Sequence, residues 1–209
     1  MGSCHYVDLF LVRHGITEWN QQKRYLGHTN QGIVKKELYQ LDRLKNELQK
    51  RKFDYIFSSD LLRCQETLDY LEIPTKMTVD YRLREMNFGD WEGKTYNDLK
   101  DVKVYQNWLN NWEDTSVPNG ESVSNFKARI DSFFYDLFHH INNLDGKQKV
   151  LIITHGGVIR YAVSTFIAST SFWDISTRHG QGLQLSFERK EGVWSCNSFS
   201  EVLSQEKEK

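Results

Sequence analysis

The sequence predicts an α/β protein, a three-layer α/β/α sandwich in which helices cover both faces of a mostly parallel sheet. Two apolar runs, Leu9–Val12 and Val150–Thr154, lack a helical period and are typical of strands buried on both faces. Amphipathic helical segments alternate with the strand segments, as parallel crossover connections require. Near the C-terminus, Leu183–Phe187 and Val193–Phe199 flank a Glu-Gly turn and predict an antiparallel edge.

The first half of the chain predicts two helices and two further strands. A polar loop at 19–30 precedes a helix expected over Val34–Lys50, in which the apolar side chains share one face. Phe53–Phe57 predicts the second strand, and Ser58–Asp60 offer oxygens that could cap the next helix. The apolar face of that next helix is made by Leu61, Cys64, Leu68 and Leu71. Met77–Tyr81 predicts a short third strand.

The middle of the chain predicts a packed loop and further helices. Arg82–Gly93 mixes aromatic, acidic and glycine residues without a period, which is typical of a loop. A helix is expected over Asp98–Trp112, and its aromatic stripe is interpreted as a packing face. A long amphipathic helix follows Ser122, and Gly156–Ser169 predicts a buried helix because it is apolar nearly all round.

Residues 1–209 are expected to form a single domain. Residues 81–122 are interpreted as an insert above the strand ends rather than as a separate domain. The polar and charged segment 201–209 is expected to fray.

Composition excludes several classes of protein. The formal net charge is −1 over 209 residues, so the chain is not built for nucleic acid or for an anionic membrane surface. No apolar run approaches the ~20 residues of a membrane span. Cys4, Cys64 and Cys196 form neither a disulfide framework nor a zinc-ligand spacing, which favours the reducing cytoplasm.

Chemically active side chains follow both buried strands at the point where each strand ends. Arg13-His14-Gly15 follows the first run, and His155-Gly156-Gly157 follows the second. Because the carboxyl ends of parallel strands meet at one edge of a sheet, we expect both imidazoles to face one pocket. Arg63, in the first turn of the second helix, is expected nearby, since a helix N-terminus and a guanidinium both favour an anion.

These residues predict a binding site for a doubly charged tetrahedral anion. Arg13, Arg63 and one of the two histidines supply the donors, because the planar fork of arginine bonds two oxygens at once, and Asn20 can add another donor. Each charge-assisted hydrogen bond would contribute roughly 1.5–3 kcal/mol.

The same set predicts phosphoryl transfer to a histidine. One of the two histidines, His14 or His155, is left as the attacking group, because a neutral imidazole nitrogen is a competent nucleophile. Glu85, on the loop after the third strand, is the candidate that protonates the leaving alkoxide and then activates water to split the phosphohistidine.

Several segments resemble, in chain order, the motifs of the histidine phosphatase superfamily, which has the phosphoglycerate-mutase-like fold. The segments are Leu11–Asn20, Ser59–Thr67, Leu83–Gly93, Gly120–Ser122 and Thr154–Arg160. The resemblance implies that His14 is phosphorylated and that Glu85 is the proton donor. It also implies that Arg13, Arg63 and His155, with Asn20 beside them, bind the phosphate, and that no metal or organic cofactor takes part.

The middle of the chain indicates a branch of that superfamily. Phe88–Tyr96, the tryptophan-rich helix after it and Pro118–Ser122 resemble the α-ribazole phosphatase group and its broad-specificity relatives. The implied function is a phosphomonoesterase acting on a small phosphorylated metabolite. Candidate substrates are α-ribazole 5′-phosphate or a broad range of monoesters. The sequence does not determine the oligomeric state, and a homodimer is one possibility.

Three alternatives compete with this hypothesis. The first is a cofactor-dependent phosphoglycerate mutase. Such mutases are usually longer in the middle of the chain and carry a C-terminal extension, whereas this sequence has a short polar tail. The second is a non-catalytic module that binds a phosphorylated ligand, since folds outlive their activities. The third is a metal hydrolase that uses His14 and His155 as ligands, which resistance to chelators would exclude.

A further group of basic side chains is assigned a surface or packing role, with a contribution to the substrate pocket as the alternative. These residues are His28, Arg82, Arg160, Arg178 and His179.

Overall fold

The computed structural model describes residues 5–142, 144 and 146–202, and a six-stranded sheet forms its centre. The strands are β1 His5–Arg13, β2 Tyr55–Ser58, β3 Met77–Val79, β4 Gly146–Thr154, β5 Gly182–Lys190 and β6 Val193–Glu201. Their order across the sheet is β3-β2-β4-β1-β5-β6. The pairs from β3 to β1 are parallel, and β5 and β6 add antiparallel neighbours. The predicted α/β class with an antiparallel edge is confirmed.

Helices and 3₁₀ turns connect these strands. The helices are α1 Glu18–Gln21, α2 Asp42–Gln49, α3 Leu62–Leu71, α4 Tyr96–Leu99, α5 Lys103–Asn110, α6 Val123–Ile141 and α7 Gly156–Phe166. The 3₁₀ segments are Lys35–Leu41, Tyr81–Leu83, Gly89–Trp91, Trp112–Asp114 and Phe172–Asp174. Within the described ranges, no helix is long and apolar enough to cross a bilayer.

Alternation along β1 divides the core into two layers, because successive side chains of a strand point to opposite faces. Leu9 and Leu11 join the larger apolar cluster, which α6 and α7 cover. Phe10 and Val12 join a second cluster, which α2 and α3 cover. Helices therefore bury both faces of the sheet and hold the carboxyl ends of β1 and β4 side by side.

Two predicted helices are shorter than expected. The segment Val34–Lys50 starts with a 3₁₀ stretch, and only its second half is α2, because residues 35–41 bury a single side chain, Leu41. The segment Asp98–Trp112 divides into α4 and α5. A capping box between Thr95 and Asp98 starts α4 early, and α5 begins separately after Val102.

Element ends also differ from the sequence prediction. The residue at the N-cap of α3 is Leu61, which makes no side-chain cap, while Ser59 Oγ accepts a 3.4 Å bond from the Leu61 amide. The third strand ends at Val79, because the Asp80 carboxylate caps the following 3₁₀ turn. The helix expected over Gly156–Ser169 ends at Phe166.

The C-terminal hairpin turns at Glu191 and Gly192, both at positive φ (51° and 85°), as a type I′ hairpin turn requires. The start of the segment expected to fray is ordered instead, because Glu201 ends β6 and Val202 is buried. The rest of that expectation, and Cys4, lie outside the described residues.

Candidate active site

His14 follows β1 directly and is almost fully buried, with 3% of its surface exposed. Its backbone N–H donates to the Thr154 carbonyl at 3.0 Å, which joins the ends of β1 and β4. Its Nδ1 lies 2.7 Å from the Gly15 carbonyl oxygen. Because a carbonyl can only accept, Nδ1 carries the proton and Nε2 keeps the lone pair. The ring is therefore held as the tautomer that a nitrogen nucleophile needs.

His155 lies against that ring from the end of the neighbouring strand. The two ring centroids are 5.1 Å apart, so the structure brings the imidazoles together. His155 Nε2 lies 3.0 Å from Ser59 Oγ. When that hydroxyl donates to Nε2, the ring proton is on Nδ1, which is buried and has no partner within the described part of the chain.

Burial makes both imidazoles poor bases. Desolvation, followed by the nearby charge of Arg63, lowers the pKa of His14 and of His155 well below the usual value of a histidine. Both rings are therefore neutral at pH 7.

Two arginines complete this group, and the fold fixes each by its terminal nitrogens. Arg13 Nη1 donates to the Thr177 carbonyl at 2.7 Å. Arg63, fully buried, donates to the carbonyls of Gly27 at 2.6 Å and Thr29 at 3.0 Å. Desolvation by burial lowers the pKa of both guanidinium groups, which stay charged near neutral pH.

These contacts leave a cluster of unsatisfied donors. The Nε atoms of Arg13 and Arg63, like Nδ1 of His155, are buried without a partner among the described residues. Buried polar groups are normally hydrogen-bonded, because an orphaned donor costs about 1–3 kcal/mol. A tetrahedral anion offers several acceptor oxygens to donors of this kind.

Glu85 is fixed at the start of α7. Its Oε2 accepts from the Gly157 amide at 2.9 Å, and its Oε1 accepts from the Met86 amide at 3.0 Å. A Cβ on residue 157 would lie 2.2 Å from Glu85 Oε1, so glycine is required for this approach. Each oxygen keeps a second lone pair, and the carboxyl group is therefore positioned without losing its capacity to carry a proton.

Asn20 occupies a different kind of position. In the short helix α1 its Oδ1 accepts from the Thr17 amide at 3.1 Å and from Thr17 Oγ1 at 3.0 Å, in a capping box. Among the described residues, no hydrogen bond joins Asn20 to the arginines or histidines of the site. The Nδ2 amino group of the side chain is the donor that Asn20 has left for an anion.

Arg129 on α6 holds the loop that carries Glu85. Its guanidinium donates to the carbonyls of Arg82, Arg84 and Glu85 at 2.6–2.9 Å. It also pairs with both oxygens of Glu121 at 2.7 and 2.9 Å. The sequence analysis missed this residue. The available signal was a charged side chain three positions after Phe126, on the core-facing side of an amphipathic helix.

Replacing Arg129 with methionine is expected to lower the free energy of unfolding by about 3 kcal/mol, because Glu121 and several carbonyls lose their partner. Guanidinium chloride denaturation measures this change. Lys127→Met is the matched control on α6, since Lys127 forms a more exposed ion pair with Glu113 that is worth about 1 kcal/mol or less. Equal losses in the two variants would contradict the role given to Arg129.

A cavity of about 300 Å³ opens beside these groups, between Arg13, Glu85 and Gly157. Most of its remaining lining is aromatic: Tyr25, Phe88, Trp108, Trp112, Phe126, Phe172 and Trp173. The Trp108 indole N–H is buried without a partner in the described ranges. The Arg160 guanidinium lies 5.9 and 5.8 Å from the ring centres of Phe172 and Trp173. This geometry suits a planar ring that carries hydrogen-bond acceptors.

Comparisons with known proteins agree over most of the chain. A family model described as "Histidine phosphatase superfamily (branch 1)" matches residues 9–200. A Salmonella typhimurium protein named adenosylcobalamin/alpha-ribazole phosphatase is 31% identical over 182 residues, covering 83% of this chain and 87% of that protein. A Hydrogenobacter thermophilus protein, provisionally named phosphoserine phosphatase 2, is 32% identical over 173 residues, covering 80% and 83%. The crystal structure of the alpha-ribazole phosphatase from Shigella flexneri has a TM-score of 0.77 at 27% identity, covering 91% and 94%.

Proposed function

Because this chain belongs to the histidine phosphatase superfamily (branch 1) and is a phosphatase of small phosphorylated metabolites, we propose that it works through a phosphohistidine on His14. One observation carries this proposal. A buried, neutral His14 with a free Nε2 lone pair lies beside orphaned buried donors on Arg13, Arg63 and His155. The donors hold a phosphate group, and the imidazole attacks it.

The first step transfers the phosphoryl group to the enzyme. The substrate phosphate binds to the arginines and to His155 Nδ1–H, with Asn20 donating from its amide. His14 Nε2 attacks phosphorus in line, so a P–N bond forms while the P–O bond to the alcohol breaks. The Glu85 carboxyl group gives its proton to the departing alkoxide, which leaves as the neutral alcohol.

The second step returns the enzyme to its starting state. The Glu85 carboxylate takes a proton from a water molecule as that water attacks phosphorus. The P–N bond breaks, the electron pair returns to His14 Nε2, and inorganic phosphate is released. The fixed cations neutralise charge on the phosphoryl oxygens in both steps, and their effect is large because the pocket is buried.

We place the alcohol part of the substrate in the aromatic cavity. The cavity adjoins Arg13 and Glu85, so a phosphate held by the arginines directs its ester oxygen toward Glu85, the proposed proton donor. Much of the lining comes from residues 81–122, which supports their role as an insert over the site. A flat heteroaromatic ring suits these walls. α-Ribazole 5′-phosphate is therefore the first candidate, and the relatives named alpha-ribazole phosphatase support it.

We also place the protein in a reducing cytoplasm. Cys64 and Cys196 are free thiols, and Cys196 is partly exposed at β6. Burial raises the pKa of Cys64 to about 12, so that thiol stays protonated beside His155.

Replacing Trp173 with alanine is expected to raise KM about fivefold for monoesters whose alcohol part carries an aromatic ring, such as α-ribazole 5′-phosphate. KM for ethyl phosphate should stay unchanged. Trp173 lines the cavity and is 57% exposed, so its loss should not unfold the chain. Tyr135→Ala is the matched control, because Tyr135 is an exposed aromatic residue that does not line the cavity. Steady-state kinetics measure both values. A parallel rise for ethyl phosphate would argue against this use of the cavity.

A screen of phosphorylated metabolites, with released inorganic phosphate as readout, tests the function as a whole. It includes α-ribazole 5′-phosphate and phosphoserine, and it is run with and without a chelator. We expect turnover that the chelator does not reduce. A coupled assay with 3-phosphoglycerate and a bisphosphoglycerate primer runs beside it. Conversion to 2-phosphoglycerate faster than phosphate release would contradict the phosphatase assignment in favour of a mutase.

A further inference from the structure

A third imidazole, His179, packs against the nucleophile. The ring centroids of His179 and His14 are 5.4 Å apart, with the planes inclined by 61°. His179 Nδ1 lies 2.8 Å from the backbone carbonyl oxygen of His14. Because that carbonyl can only accept, Nδ1 is the protonated nitrogen and donates to it. The His179 ring therefore contacts both the imidazole ring and the backbone carbonyl of His14.

The segment that carries His179 is itself held in place. Two residues earlier, the Thr177 carbonyl accepts from Arg13. One residue later, Gly180 has a φ of +74°, and a Cβ at that position would lie 2.4 Å from the Gln40 carbonyl oxygen. Residues 177–180 thus brace both members of the Arg13–His14 pair from the side opposite β4.

We propose that His179 is a positioning residue that aims the Nε2 lone pair of His14 at phosphorus. The claim rests on the proposed role of His14 as nucleophile. The His14 side chain is already tied at Nδ1 to Gly15, within the same short stretch of backbone. A hydrogen-bond donor that fixes the His14 carbonyl therefore limits rotation of the His14–Gly15 peptide, and the orientation of the His14 ring depends on that peptide. The ring of His179 also packs against the imidazole, and this contact is the smaller of the two contributions.

The environment of His179 argues for positioning and against a role as a further cation. Burial, followed by the charge of Arg13, lowers its pKa to about 4, so the ring is neutral near pH 7. The charged or titratable groups that face it are Arg13 and His14. A neutral ring adds no charge to the phosphate site, and its contribution is geometric. Misplacing a reacting group by about 1 Å can cost on the order of a hundredfold in rate.

Two substitutions separate the hydrogen bond from the packing. His179→Phe keeps a ring against His14 and removes the donor. His179→Asn removes the ring, but its side-chain amide can replace Nδ1–H. His179→Gln is the control for Asn, because it carries the same amide one methylene too far away.

The measurement is a single turnover with enzyme in excess over 4-nitrophenyl phosphate, so that nitrophenolate release reports attack by His14. We expect His179→Phe and His179→Gln to slow this step about 30-fold, and His179→Asn to recover most of the rate. The inhibition constant of inorganic phosphate should stay unchanged in all three, because the arginines and His155 hold the anion. Thermal denaturation verifies that each variant is folded.

Several results would overturn the proposal. They are a His179→Phe rate equal to that of the wild type, an Asn variant as slow as the Phe variant, or a phosphate inhibition constant that weakens in step with the rate. The last result would indicate general loosening of the site. Equal rates for wild type and His14→Ala would instead contradict the proposed function, and the positioning role would fall with it.

Discussion

Replacing His14 with alanine is expected to reduce turnover of 4-nitrophenyl phosphate by about 10⁴-fold or more, because the covalent route loses its nucleophile. The arginines and His155 remain and still bind phosphate, so inhibition by inorganic phosphate should persist. The fold should survive, because His14 stabilises no apolar cluster and its own burial costs free energy of desolvation. Steady-state kinetics and thermal denaturation measure these effects together.

His140→Ala is the matched control for this experiment. His140 is an exposed histidine at the end of α6 that contacts Tyr55 and does not approach the site. We expect its turnover to equal that of the wild type. Substantial hydrolysis by folded His14→Ala would remove His14 from the role of nucleophile.

Replacing Glu85 with glutamine is expected to slow phosphorylation of His14 by an alkyl monoester by about 10²–10⁴-fold. Phosphorylation by 4-nitrophenyl phosphate should slow much less, because nitrophenolate is a stable anion that leaves without a proton. The glutamine keeps the shape of the side chain, and its oxygen can still accept from the Gly157 amide. The difference between the two substrates therefore reports proton donation and not position.

Single-turnover measurements with both substrates test the role of Glu85, since they isolate the first step from hydrolysis of the phosphoenzyme. Glu113→Gln is the control, because Glu113 lies on the surface and pairs with Lys127. Equal losses on the alkyl and aryl substrates would remove Glu85 from the role of general acid.

The fold was predictable because its main signals are local. The apolar run at Leu9–Val12 requires burial on both faces, and the structure provides this with one cluster under Leu9 and Leu11 and another under Phe10 and Val12. The Glu191-Gly192 turn likewise indicates the antiparallel hairpin directly. The division of Asp98–Trp112 into two helices was missed, because the Thr95 capping box competes with a continuous aromatic stripe.

The convergence of the candidate residues could be predicted from the sequence, whereas the contacts that orient them could not. Arg13 ends β1, His14 and His155 follow β1 and β4, and the topology of a parallel sheet places such residues together. The tautomers of His14 and His155 depend on Gly15 and on Ser59, which no sequence spacing indicates.

Long-range supports were the least visible part of the site. Arg129 reaches the Glu85 loop from another helix, over 44 residues of sequence. His179 reaches the His14 carbonyl over 165 residues, and the sequence analysis assigned it a surface or packing role, with a contribution to the substrate pocket as the alternative. These long-range hydrogen bonds form only when the helices and loops pack on the sheet, and the local sequence pattern does not indicate them.

The central claim is tested most directly by trapping the phosphoenzyme. Enzyme is mixed with a substrate that carries a labelled phosphate, quenched within the first turnover and digested into peptides. We predict a label that is labile in acid and stable in alkali, as a P–N bond requires, on the peptide that contains His14 and absent from His14→Ala. A label on another residue, or phosphate release with no labelled enzyme at any time, would contradict the account.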